Sequence, residues 1–162
     1  MPIYMKFGDT IKGNVSEAGH KEWIELGSCQ FGAGRAIAMN VGAALKDREA
    51  SAPNLSEIVV TKEWDSGSSS SLFQEALQSD MDTKVQIDFV RTVKAKLDIY
   101  LTIKLDNVAI SGYSLSSGGD KPSESISLSY TKIEYSPFKV ADDASPAAGS
   151  KVTYDLAQAK TV

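Results

Sequence analysis

His20 stands among three carboxylates, Glu17, Glu22 and Glu25, and a histidine so placed has the donor set of a metal ligand or a general base. The chain holds no second histidine and a single cysteine, Cys29, so a Cys/His zinc site lacks ligands and no intramolecular disulfide can form. His20 therefore reads as a turn residue at the start of a strand, in need of a hydrogen-bond partner. The serine run Ser68 to Ser71 offers hydroxyls but no G-x-S-x-G elbow, and serines before a helix are ordinary capping chemistry. Gly118-Gly119-Asp120 lacks the Lys and Ser/Thr of a phosphate loop and is followed by a strand, so it reads as a turn. Asp142 and Asp143 fall short of the roughly six to eight oxygens calcium takes. Trp23 and Trp64 could stack on a sugar, although aromatics on alternating strands fill cores more often. The sequence thus predicts no enzyme, no catalytic or metal residue and no cofactor.

The elements that position these residues come from periodicity. From Lys84, Val85, Ile87 and Phe89 alternate with Gln86 and Asp88; after a polar break Leu97, Ile99, Leu101, Ile103 and Leu105 repeat the pattern. This predicts two long antiparallel strands with all five of the latter residues on one face. Beyond Asn107 the apolar parity flips to Val108 and Ile110, the signature of a β-bulge. Alternation recurs at 22–31, 57–64, 124–135 and 151–156, for seven or eight strands in all. Leu72, Phe73, Ala76 and Leu77 fall at helical spacing, with Ser71 and Gln74 spaced as a capping box, and predict one helix over about 70–79. The fold class that follows is mainly β: a two-sheet barrel or sandwich of antiparallel strands with one short helix.

The 162 residues, 42% of them hydrophobic, suffice for one domain spanning 1–162. A net charge of −4 without a basic cluster argues against a nucleic-acid partner. No stretch approaches the ~18 apolar residues of a membrane span, so no membrane insertion is expected. The amino terminus lacks the pattern of a cleaved signal peptide, which predicts a cytoplasmic protein whose export needs no such leader. Nothing beyond Val162 would build a fused toxic domain. Two stretches read as loops, about 32–54 and about 141–150. The first is long enough to be a contact arm, with Arg35, Lys46, Asp47, Arg48 and Glu49 as candidate inter-subunit residues. Between Leu26 and Phe31 the alternation turns Ser28 and Gln30 one way and Cys29 and Phe31 the other, so a buried Cys29 and Phe31 leave Ser28 and Gln30 exposed.

Ordered blocks carry a family resemblance. They are Ile11-Lys12-Gly13, the run from His20 to Leu26, Val60 to Asp65 with the serine-rich helix start and Leu72-Phe73, Tyr113 to Asp120 with Pro122 and Glu124 to Leu128, Ile133-Glu134-Tyr135, and Val152 to Leu156. In that order, across about 150 residues, they resemble the Hcp (haemolysin-coregulated protein) family of type VI secretion systems. The resemblance implies a tube subunit: hexameric rings that stack inside a contractile sheath beneath a spike, are expelled on contraction, and can hold effector proteins in the ring. Its partners would be itself, spike, sheath and effectors; it would be cytoplasmic before firing and extracellular afterwards. In such a ring Ser28 and Gln30 are candidate lumen-facing residues. The alternatives are a small carbohydrate-binding β-sandwich, with Trp23 or Trp64 on an exposed concave face, and a phage tail tube subunit.

Overall fold

The computed structural model describes residues 1–38, 42, 50–140 and 146–162. Six strands, β1 (Ile3–Phe7), β2 (Ile24–Leu26), β3 (Ser28–Gln30), β4 (Ala33–Gly34), β5 (Asn54–Leu55) and β6 (Ile58–Glu63), precede α1 (Ser69–Gln78). Then follow β7 (Thr83–Val93), β8 (Lys96–Ser116), β9 (Ser123–Ser129), β10 (Lys132–Val140), β11 (Pro146–Ala148), β12 (Val152–Asp155) and β13 (Lys160–Thr161). The mainly β, two-sheet reading with one short helix holds, and the helix lies one residue earlier than expected.

Antiparallel pairing runs β13-β12-β10-β8-β7-β1-β2 in the first sheet and β3-β6-β9-β8 in the second. The chain changes sheet at two places, between β2 and β3 and within β8. The predicted strand over 22–31 breaks at Gly27, so that β2 pairs with β1 while β3 pairs with β6, and the Gly27 amide donates to the Thr61 carbonyl at 2.7 Å. β8 pairs with β10 as far as Asp106, with β7 as far as Val108 and with β9 from Ala109. These two changes of partner close the circuit β1-β2-β3-β6-β9-β8-β7 into a barrel. Its interior holds Met5, Phe7, Ile24, Ile58, Val60, Ile87, Ile103, Leu105, Val108, Ile126 and Leu128, with Leu72 supplied by the helix. Each such side chain contributes about 1.5–3 kcal/mol by leaving water.

The flip at Asn107 is a bulge: Thr83 pairs with Val108 and Val85 with Leu105, and Asn107 sits at φ 53°, where its amide donates to Thr131 Oγ1 at 2.7 Å. A second bulge was not expected. Phe89 pairs with Leu101 but Val90 with Ile99, so Tyr100 is inserted and Leu97 and Ile99 turn to the face opposite Leu101, Ile103 and Leu105. The number of strands is also larger than the predicted seven or eight, because short strands occupy the expected loops. β4 pairs with β5 and Ile37 bridges Ala50 at the base of the 32–54 arm, while β11 pairs with β10 within 141–150. Of the candidate arm residues Arg35 is exposed, whereas Lys46, Asp47, Arg48 and Glu49, like Asp142 and Asp143, lie outside the described residues. Among the described residues no helix is long and apolar enough to cross a membrane.

Asn107→Val places a β-branched residue at a left-handed corner and removes a hydrogen bond, and is expected to lower the unfolding free energy by about 2 kcal/mol. Asn107→Gly keeps the corner and loses about 1 kcal/mol; urea denaturation of both separates corner geometry from the lost bond.

Candidate functional site

Two buried polar clusters position the surfaces of the barrel. Lys62 lies on β6 in the same parity as Ile58 and Val60, and Glu124 on β9 in the same parity as Ile126 and Leu128, so both charges point inward. They meet: Lys62 Nζ is 2.6 Å from Glu124 Oε2 and 2.9 Å from Asp65 Oδ2, and donates to Ser69 Oγ at 3.0 Å. Ser69 Oγ in turn donates to Glu124 Oε2 at 2.8 Å and accepts from the Asp65 amide, while Tyr113 donates to Glu124 Oε1. Burial and the Glu124 bond push the Tyr113 phenol up. Burial opposes ionisation of Asp65, yet bonds from Ser68 and Lys62 hold its carboxyl below the usual range. A serine beside a lysine invites a nucleophile reading, but Ser69 is buried with its hydroxyl donating to Glu124, and Lys62 is held by two carboxylates. The cluster is a clamp that ties the start of α1 to β6, β8 and β9.

The expected capping box at Ser71 and Gln74 is not what begins the helix. Ser68 is the N-cap residue, and Asp65 organises the turn by accepting from the amides of Gly67 at 2.8 Å and Ser68 at 2.6 Å. Phe73 and Leu77, at core spacing in the sequence, are exposed; Leu72 carries the packing.

The second cluster fastens the segment before β2. His20 is buried, with Nδ1 2.7 Å from Glu17 Oε2 and Nε2 3.1 Å from Asp88 Oδ2. Both ring nitrogens thus lie within hydrogen-bond distance of a carboxylate. Thr102 and Gln86 also donate to Asp88, and the ring lies 4.9 Å from Tyr4 and edge-on to Trp23 at 4.7 Å. Of the acids near His20 in sequence only Glu17 reaches it; Glu22 pairs with Lys12 at 2.7 Å. The decisive acid, Asp88, lies 68 residues away and carried no local signal. Gly13 permits this fold-over, because a Cβ there would stand 2.2 Å from the Trp23 carbonyl oxygen. The Gly19 amide first and then His20 hold the Glu17 carboxyl below the usual range.

Ser28 and Gln30 are exposed, on the outward side of the second sheet. Register extends their face across four strands: Ser28 lies beside Thr61, Ser125 and Ser114, and Gln30 beside Val59, Ser127 and Gly112. Ser28 Oγ and Thr61 Oγ1 are 2.6 Å apart. The charge on this face is at its margin, where Glu63 pairs with Lys121 at 3.0 Å. Cys29 packs against the core as expected, and burial pushes its thiol up to about 11, which leaves little thiolate at neutral pH. Phe31 departs from expectation: it is exposed, 6.4 Å from the Tyr135 ring. Trp23 is half-buried against His20, and Trp64 is exposed between two clefts, one lined by Asn14, Glu25 and Lys121 and the other by Phe73, Tyr113 and Leu115. Among the described residues no group of three His, Cys, Asp or Glu side chains is placed to hold a metal.

A closed β-barrel with one clamped helix, and with its outward sheet face charged only at the margin, is what the comparisons with known proteins must match. Residues 4–136 match the family described as type VI secretion system effector, Hcp, and the chain belongs to that family. A solved type six secretion system protein is 25% identical with a TM-score of 0.84, over 99% of either chain. Hcp1 from Salmonella typhimurium is 17% identical with a TM-score of 0.72, over 99% of this chain and 98% of that one. A type VI secretion system effector from Yersinia pestis is 23% identical with a TM-score of 0.65, over 94% and 98%. No curated sequence matches this chain.

Lys62→Met leaves Glu124 and Asp65 uncompensated in the interior and is expected to cost about 3–5 kcal/mol in urea denaturation. Because the folded Glu17 carboxyl titrates below its unfolded value, its contribution to stability is present above the unfolded value and lost as pH falls through the folded one. The thermal midpoint of wild type is therefore expected to drop on acidification from pH 5 to 3 (about the carboxylate range) by more than that of Glu17→Gln.

Proposed function

We propose that this chain works as one domain and as a tube subunit that closes into a six-membered ring, with the face centred on Ser28 and Gln30 turned to the lumen. Family membership supports the machine it serves; the observation that carries the assignment of the face is its lack of charge across β3, β6, β9 and β8. A lining of hydroxyls with one amide, one valine and a glycine offers hydrogen bonds without charge selection, so it holds a protein passenger weakly and irrespective of that passenger's net charge. Stacked rings, a spike, a sheath and effector proteins complete the proposed partners, and Arg35 on the arm is assigned to contacts between subunits. The protein is made for a cytoplasmic ring and leaves the cell with the tube.

Light scattering coupled to size exclusion, with imaging of the peak, tests the ring: a mass of six chains with a central hole is expected, and a concentration-independent monomer would sink the reading. Gln30→Lys combined with Ser28→Lys is expected to leave the ring mass unchanged and to change co-purified effector by tenfold or more, about 1.4 kcal/mol. Unchanged retention of effector would place the passenger elsewhere.

A further inference from the structure

Of the two tryptophans, Trp23 packs edge-on against His20, while Trp64 is left 43% exposed. Trp64 stands immediately past the end of β6, and its amide donates to the Pro122 carbonyl at 2.9 Å, which fixes its backbone at the margin of the second sheet. On one side it walls a cleft of about 370 Å³, together with Asn14, Glu25, Glu63 and Lys121 and the apolar Val15 and Leu26. That volume falls within the range of small-molecule sites. Four stretches of chain meet there: the segment before β2, β2 itself, the end of β6 and the turn before β9. Gly67 makes room for one of the lining groups, since a Cβ at that position would stand 2.7 Å from Asn14 Oδ1.

The charges around this cleft are largely engaged with one another. Glu63 pairs with Lys121 at 3.0 Å, and Asp65, at the same end of β6, pairs with Lys62 at 2.9 Å. Glu25 is the lining carboxylate without an ion pair among the described residues. An anion therefore meets no free counter-charge, and a cation meets one carboxylate with a lysine beside it. What the lining does supply is hydrogen bonding of both kinds: Lys121 donates, the carboxylates accept, and the Asn14 amide does both. Beside these groups stands an exposed indole, a large apolar platform at low entropic cost. A sugar presents the matching chemistry, hydroxyls that donate and accept around a ring with an apolar C–H face.

We propose that this cleft is a binding site for a neutral oligosaccharide, with Trp64 as the stacking platform and Asn14, Glu25 and the Glu63–Lys121 pair as the groups that bond the ring hydroxyls. The depression on the other side of Trp64, walled by Phe73, Tyr113 and Leu115, is mostly apolar and is no part of the site. The site lies at the charged margin of the second sheet, away from Ser28 and Gln30. It goes beyond the tube reading and stands or falls independently of it.

Titration of the protein with maltotriose, cellotriose and chitotriose, followed by calorimetry and tryptophan fluorescence, tests the proposal. One or more of these trisaccharides is expected to bind with a dissociation constant in the millimolar range or below and to change the tryptophan emission. Trp64→Ala is expected to weaken that binding by about tenfold or more. Glu25→Ala, at an exposed position, is the second variant should the first fail to fold by circular dichroism, and weakens binding by about threefold. Phe73→Ala, on the far side of Trp64, leaves it unchanged. No binding of any of the three sugars at millimolar concentration overturns the site, and so does binding that a folded Trp64→Ala leaves intact. Binding of spermidine with none of the sugars overturns it as well, by making the cleft a cation site. None of these outcomes alters the solution mass on which the ring reading rests.

Discussion

A single strand that must serve two sheets sets the terms for everything else in this protein. β8 spans 21 residues, pairs with β7 and β10 along its first half and with β9 along its second, and can do so only by turning at Asn107. The turn needs a residue at φ 53°, where asparagine is tolerated and a β-branched residue is not. Gly27 makes the complementary change between β2 and β3. With both in place the sheets close on each other and present few unpaired edges; the strands at the ends of the pairing order, β2 and β13, have three and two residues. Short edges template poorly, so association is left to side-chain surfaces.

Closure leaves openings at which α1 and the segment before β2 are fastened by buried polar clusters. This choice has a physical consequence. An apolar contact tolerates sliding, whereas Lys62, Ser69, Asp65, Tyr113 and Glu124 satisfy one another only in one arrangement, and no buried polar side-chain atom of the described residues lacks a partner. The clamp therefore fixes the rotation of the helix, and that rotation decides that Leu72 enters the core while Phe73 and Leu77 stay outside. The same holds for His20, whose two carboxylates set where the segment from Gly13 to Trp23 lies against Tyr4, Asp88 and Thr102.

Much of this was legible in the alternation of residue types, because a half-buried strand shows its period directly. β7, the two halves of β8, the Asn107 bulge and the helix to within one residue all followed from that period. The Tyr100 bulge did not, since Leu97 and Ile99 kept the apolar period while the backbone changed face, and no glycine marked the spot. The burial of Lys62 and Glu124 does leave a signal in the sequence: each stands in core parity with two aliphatic neighbours, and opposite charges in core parity on different strands imply each other. Asp88 as the partner of His20 was not available, for a contact across 68 residues leaves no trace in local spacing. Ser28 and Gln30 were placed correctly as exposed, yet the extent of their face needed the pairing register. Phe31 was misplaced because it follows the end of β3, where alternation has no sheet to refer to.

The distribution of charge follows the same parity as the core. Residues of one sign of the alternation fill the barrel, and those of the other leave the outward side of the second sheet neutral except for one ion pair at its rim. On the proposed assignment of that side to the lumen, a passenger meets no long-range attraction there and can slide past.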